Sequence, residues 1–268
     1  MPADSPAGRD RTRASALVRE SFAPAAERYR RSPRHADPAA LRRMLALTAP
    51  RGDERVLDVA TGGGHTAAAL APFVRRMTAL DLLPEMLRET RVLLSEARVR
   101  NAELVAGDVH ALPFAGGSFD LVTCRSAPHH FADVGRACSE IARCLRPGGR
   151  FYLLDCGVPE DPAAAALVNE VERTRDPSHV RSWSASEWST ILREAGLDPM
   201  HLAELPHAYD VQAWLDDLAV PDVRRRAVLE RLGCAPAGAL AHVRIDLAPG
   251  RETFATCRTE ALAMRRSE

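Results

Sequence analysis

No lysine occurs anywhere in the 268 residues, so all 36 basic side chains are arginine. That absence removes the phosphate-cradling lysine of P-loop enzymes and the Schiff-base lysine of pyridoxal-phosphate enzymes and aldolases. It otherwise reflects a GC-rich coding bias. Neither sign of charge is in excess, with 36 Arg against 36 Asp+Glu. Wholesale nucleic-acid binding, which shows a basic surplus, is not expected. The six cysteines (Cys124, Cys138, Cys144, Cys156, Cys234, Cys257) contain no C-x-x-C pair, so neither a zinc knuckle nor a redox dithiol is signalled and no metal is expected. No apolar run approaches the ~18–20 residues that span a bilayer, and the Asp- and Arg-bearing start lacks a signal-peptide core. A cytoplasmic protein without membrane insertion is expected.

What is present is ordinary globular sequence, 46% hydrophobic and 27% charged, long enough to bury a core without staples. Residues 1–13 mix Pro, Gly, Ser, Asp and Arg without apolar period, and residues 1–15 read as a flexible arm. Asp37-Pro38 then starts a helix, an N-cap followed by proline in the first turn. From Arg55 short apolar runs alternate with helical patterns. Val56-Leu57-Asp58-Val59-Ala60, Met77-Thr78-Ala79-Leu80-Asp81, Ala102-Glu103-Leu104-Val105, Phe119-Asp120-Leu121-Val122-Thr123-Cys124 and Arg150-Phe151-Tyr152-Leu153-Leu154-Asp155 are five strands. Alternation of this kind means βαβ units and a parallel sheet. Helices are expected over residues 162–172, 186–195 and 211–218, with weak strands at 200–205 and 253–262. Nothing marks a second domain, so residues 16–268 form one unit: a helical lid (16–50), a core (51–158) and a substrate-side cap (159–268).

Parallel sheets bind ligands beyond the carboxyl ends of their strands. The first strand ends in Asp58-Val59-Ala60-Thr61-Gly62-Gly63-Gly64. Glycines there let the backbone approach a ligand, and the next helix start offers free N–H groups. The second ends in Asp81, 17 residues after Gly64, where a carboxylate can accept from ribose hydroxyls. The third ends in Gly107-Asp108-Val109, suited to an adenine amino group and ring face, although Asp108 could instead make an Asx turn. The fourth runs into Cys124-Arg125-Ser126-Ala127-Pro128-His129-His130-Phe131 beside the reacting end.

These blocks resemble the class I S-adenosylmethionine (SAM)-dependent methyltransferases. The similarity runs from Val56 through His65, then Ala79 through Leu87, Gly107-Asp108 with Leu112-Pro113-Phe114, Ser118 through Val122, and Leu145 through Arg150. It covers roughly residues 17–200, and its flavour is that of the quinone-biosynthesis and other small-molecule methyltransferases. One departure is Ala60, where the family has a glycine. The resemblance implies a Rossmann-like, doubly wound, mostly parallel seven-stranded sheet with helices on both faces. Its last strand is antiparallel, and helices before the first strand form a lid. It also implies SAM as cofactor, S-adenosylhomocysteine (SAH) as product and a small quinone-like or secondary-metabolite acceptor, methylated on C, O or N. The expected cofactor contacts are Tyr29, Asp58, Ala60, Gly62, Gly64, Asp81, Leu82, Met86, Asp108, Val109, Arg125 and His130, with Asp58 facing the methionine ammonium. A homodimer is compatible with this reading.

His129 and His130 are the candidate general bases, since imidazole moves protons near neutral pH, although either could simply pack. His179 and Arg181, taken to follow the fifth strand, could read a polar substrate group or sit in a plain surface loop. Phe22 and Tyr29 are read as exposed-looking aromatics on the lid helices, with a core role as the alternative. Trp183 and Trp188 read as packing residues, and Arg28, Arg30 and Arg31 as a solvated face. Three other functions remain open. Gly62-Gly63-Gly64-His65-Thr66-Ala67 also satisfies the G-x-G-x-x-A of NAD(P)-dependent oxidoreductases, against which Asp58 counts. A SAM-binding protein of this fold could also catalyse cyclisation or regulate without methylating.

Overall fold

The structure, a computed structural model, describes residues 6–267. In chain order its helices are α1 (Pro6–Phe22), α2 (Ala26–Arg31), α3 (Pro38–Thr48), α4 (His65–Leu70), α5 (Pro84–Glu96), α6 (Val134–Cys144), α7 (Pro162–Arg175), α8 (Ala185–Glu194), α9 (Val211–Asp216) and α10 (Asp222–Gly233). The strands are β1 (Arg55–Val59), β2 (Arg76–Asp81), β3 (Ala102–Ala106), β4 (Phe119–Arg125), β5 (Leu145–Gly157), β6 (Leu197–Asp210), β7 (Arg244–Asp246) and β8 (Thr253–Arg265). Residues 1–5 of the expected arm lie outside the described residues. From Pro6 the chain is helical rather than an arm, opened by a proline that fits the first turn.

The sheet order is β3-β2-β1-β4-β5-β8-β6. The five strands from β3 across to β5 run parallel, and β8 runs antiparallel to both of its neighbours. Seven strands were expected. The eighth, β7, pairs only with β8 and is three residues long, with Ile245 between two charged residues, too short to show a period. The α10 helix was also not foreseen; arginines at 224–226 hide its Val228 and Leu232 stripe.

Both faces of the sheet are covered, as a parallel sheet requires. Successive residues point to opposite faces. Val56 accordingly joins Met44, Leu70, Met77 and Tyr152 on one side, while Leu57 and Val59 join Phe119, Ile141 and Trp188 on the other. The α3 part of the expected lid therefore belongs to the sheet, because Met44 is fully buried there. A separate apolar cluster (Leu167, Tyr209, Trp214, Val228, Phe254) packs α7, α9 and α10 against the far ends of β6 and β8. Helix starts follow local chemistry. Asp37 accepts from Ala39 N at 2.9 Å ahead of Pro38, Asp161 accepts from Ala164 N, and Ser184 with Glu187 closes a capping box. No described helix is long and apolar enough to cross a membrane.

A buried acid ties α3 to the sheet. Glu260 on β8, with no exposure, accepts from Tyr152 Oη at 3.0 Å and from Arg43 Nε at 2.6 Å. Tyr152→Phe leaves that carboxylate one donor short, and hydrogen bonds to charged groups contribute about 1.5–3 kcal/mol. The unfolding free energy from urea denaturation is expected to fall by that amount, with a lower midpoint at unchanged slope. An unchanged midpoint would show that the bond contributes nothing.

Candidate functional site

The strand order reverses direction between β1 and β4, and a cleft opens above that point. The cleft and the open space at its mouth together take up about 1080 Å³. Ala60, Gly62, Asp81, Leu82, Met86, Asp108 and Val109 border one end.

The turn after β1 is left-handed at Ala60 (φ 52°), Gly62 (φ 56°) and Gly64 (φ 89°). A Cβ added to Gly62 would meet nothing within 4 Å, so its backbone faces open cleft. Gly64 differs. A Cβ there would lie 2.8 Å from Thr90 Cγ2, so this glycine serves the packing of α4 on α5 and does not border the cleft. Ala60 holds its left-handed conformation with a side chain, which costs roughly 1–2 kcal/mol relative to glycine.

Asp58 does not face the cleft. It lies beneath the turn, 1% exposed, where Thr61 Oγ1 donates at 2.6 Å and Thr123 Oγ1 at 2.7 Å. Its expected place beside a ligand ammonium is not what the geometry provides, because the carboxylate is buried under the turn and borders neither the cleft nor the smaller cavity beside it. Burial lifts its pKa from 3.8 to about 6, against the two threonine bonds.

Asp81 closes the turn from β2. Gly62 N donates to Oδ2 at 2.8 Å and Leu83 N to Oδ1 at 2.9 Å. Each oxygen keeps a second lone pair, so the carboxylate can still accept from a ligand. Burial raises its pKa despite those bonds. At the end of β3, Asp108 Oδ1 accepts from His110 N at 2.9 Å and pairs with His110 Nδ1 at 2.6 Å. Burial pushes the Asp108 carboxyl up, and the His110 bonds outweigh it and hold the group low. The Asx turn and the cleft-facing position thus coexist. Val109, Met86 and Leu82 supply apolar wall beside it.

Past β4 the chain turns left-handed at Ser126 (φ 52°) and makes a short 3-10 turn at Pro128–His130. Arg125 leans away from the main cleft, toward Thr66 Oγ1 and the His35 carbonyl at 3.4 Å each, and borders a smaller adjoining cavity with Tyr29, Ala60 and Gly62. His129 and His130 both line the cleft, their ring centroids 4.0 Å apart. Their environments are opposite. His129 Nδ1 lies 2.6 Å from Oδ1 of Asp155, which is fully buried at the end of β5. Burial disfavours its charge, but Asp155 overrides this and lifts the pKa well above 6.5. His130 Nδ1 lies 3.1 Å from the Ser178 carbonyl; burial and the neighbouring His129 charge push its pKa down to about 4. Neither histidine titrates near its ordinary value.

His179 and Arg181 do not reach the cleft. They follow α7 rather than β5. His179 is 4% exposed with Nε2 3.1 Å from Asn169 Oδ1, and Arg181 points to solvent, paired with Glu187. Phe22 and Tyr29 are not exposed: Phe22 meets His130 edge-on at 4.9 Å, and both aromatics line the cleft. The inner end also takes Arg34, Cys156, Glu172, Arg175 and Trp214. None was singled out from sequence, although Cys156 follows a strand end and the strand-end rule could have found it. Among the described residues one group could hold a metal, His129 with Asp155 and Cys156, and there the histidine and the acid are already bonded to each other.

A model of a methyltransferase domain matches residues 57–153. The uncharacterised methyltransferase YcgJ of Bacillus subtilis (strain 168) is 37% identical over 216 residues, 80% of this chain and 85% of that protein. The crystal structure of YcgJ superposes with a TM-score of 0.79 at 34% identity, over 86% of this chain and 99% of that one. A Bacillus halodurans C-125 crystal structure gives a TM-score of 0.82 at 33% identity, over 85% and 100%. The 27-O-demethylrifamycin SV methyltransferase of Amycolatopsis mediterranei (strain S699) is 31% identical over 187 residues, 64% of each protein.

Asp58 makes stability depend on pH in a calculable direction. Its folded pKa of about 6 exceeds the ordinary 3.8, so the folded chain holds the proton more tightly. Its contribution is complete below pH ~4 and lost as pH rises through ~6, worth about 3 kcal/mol at most. Asp58→Asn removes the charge, so the variant should gain up to about that much on wild type between pH 4 and 7 in urea unfolding. Parallel pH curves would contradict the assignment.

Proposed function

The chain belongs to the class I SAM-dependent methyltransferases, and on that premise we propose that it methylates a small organic acceptor held at the inner end of the cleft. One observation carries this reading: a single continuous cavity runs from Asp81, Met86 and Val109 to His129, Cys156 and Trp214. Family membership also sets aside the nicotinamide-dinucleotide reading of the Gly62-to-Ala67 run. In that run Gly64 serves α5.

SAM, when bound, supplies a methyl group on a sulfonium that is its own leaving group. The residues present fit it. Gly62 leaves open space where a side chain would intrude, and Asp81 has lone pairs free for ribose hydroxyls. Leu82, Met86 and Val109 offer an apolar wall for an adenine, with Asp108 beside its amino edge. Ala60, Gly62 and Tyr29, with Arg125 in the adjoining cavity, would take the amino-acid end.

What the protein adds is alignment and dryness, since in-line displacement gains most from holding the partners together without water. Phe22 and Tyr29 on α1 and α2 cover the cleft, and His130 packs beneath Phe22. The similarity to a methyltransferase that acts on demethylrifamycin supports a small natural-product acceptor. Because His129 is lifted and His130 lowered, the rate should show no imidazole limb near pH 6.5.

SAH should bind by calorimetry, and NAD should not. Asp81→Ala should weaken SAH at least tenfold, since two charge-assisted bonds are lost, with the fold intact by circular dichroism. Undiminished affinity would refute the ribose role. Methyl transfer itself is tested by release of SAH on incubation with acceptor extracts; binding without turnover would favour a non-methylating role.

Adding SAH should slow hydrogen exchange across residues 17–35, which border the cleft. Equal exchange with and without SAH would mean that these helices do not close over it.

A further inference from the structure

The histidine that the sequence offers as a base is built as a cation. Asp155 has no exposure, and among the described residues its carboxylate bonds only His129 Nδ1, at 2.6 Å, with Oδ2 buried without a partner. A buried carboxylate in this state is costly unless it faces a positive charge, so it holds a proton on the imidazole. The same imidazole borders the inner chamber.

Every group packed against His129 agrees with that state. Asp155 and Cys156 approach from β5. His130, from the same turn, and His179, from the segment after α7, lie 4.0 and 5.4 Å away by ring centroid, and burial with the His129 charge lowers both. From α7, Glu172 borders the chamber opposite Arg175 Nη1 at 3.7 Å. Asp176 accepts from Ser178 Oγ at 2.7 Å and Ser21 Oγ at 3.2 Å. Asp176 is therefore engaged by hydroxyls, while Glu172 faces Arg175 with burial raising its pKa. Arg34 also lines the chamber, its Nε buried without a hydrogen-bond partner.

We propose that the inner chamber takes an acceptor with an ionisable hydroxyl, a phenol or enol, as its oxyanion, with His129 donating to the oxygen and Asp155 as the positioning residue. This rests on the methyltransferase reading. The hydroxyl proton leaves to bulk water as the anion is selected. The oxygen's electron pair then forms the new C–O bond as the methyl–sulfur bond breaks onto sulfur, so anion and sulfonium charges cancel. A fixed donor aimed at the oxygen orients that nucleophile without removing a proton from it.

The probe is 4-nitrophenol, whose anion is yellow, titrated with SAH-saturated protein at pH 6. Bound probe should ionise at least tenfold more than free probe, a pKa lowered by a unit or more. Asp155→Asn should abolish the shift while SAH affinity stays within a few-fold. Should that variant not fold, wild-type long-range proton–nitrogen NMR at pH 7.5 decides, with both His129 ring nitrogens expected to carry protons. A neutral His129, absent probe binding, or a bound probe that ionises no more than free probe would overturn the proposal while SAH binding leaves the methyltransferase reading intact. Failure of SAH itself to bind would remove both.

Discussion

A carboxylate out of reach of water holds the two sides of the cleft together. Asp58 leaves β1 and is met by Thr61 from its own turn and by Thr123 from β4, so one buried group spans the point where the sheet reverses direction. It ties the turn carrying Ala60 and Gly62 to β4, the strand that leads into the loop carrying His129. Burial makes such a group expensive to charge and gives it high geometric authority, because its alternatives are unpaired. The same device recurs around the rim. Asp81 pins two backbone amides, Asp108 pins His110, and Asp155 pins His129. Asp58, Asp81 and Asp108 thus each fix the loop after their own strand, and Asp155 on β5 fixes the loop after β4.

These acids divide by what meets them. Asp58 faces hydroxyls, which do not offset burial, and its pKa rises; the carboxylate of Asp155 faces the His129 imidazole, and the imidazole's pKa rises. A neutral His130 beside a charged His129 follows from the second case, since two adjacent cations in a buried wall would repel. The chemical character of the chamber is accordingly set by β5, one residue beyond the last apolar position of the strand.

Much of this was legible in the sequence for a physical reason. Strands buried on both faces write continuous apolar runs, and a parallel sheet collects ligand contacts just after them, so Gly62, Asp81, Asp108 and His129 could be named from order alone. What could not be read was direction. Asp58 nearly ends a strand as Asp81 does, yet points under the turn, and only the positions of Thr61 and Thr123 decide that. His179 looks available in a polar segment, but Asn169 ten residues earlier turns it inward. Arg34, Glu172 and Trp214 arrive from three helical or turn segments far apart in sequence and carry no local motif. The three-residue β7 is simply below the length at which periodicity exists.

The central claim is that donor and acceptor occupy the two ends of one cleft, with the strand-end aspartates fixing which end is which. A crystal structure with SAH bound tests it most directly. The account expects the adenine against Met86 and Val109, the ribose on Asp81, and the sulfur turned toward the chamber walled by His129 and Trp214. SAH seated with its adenine in the inner chamber, or bound outside the cleft altogether, would contradict it.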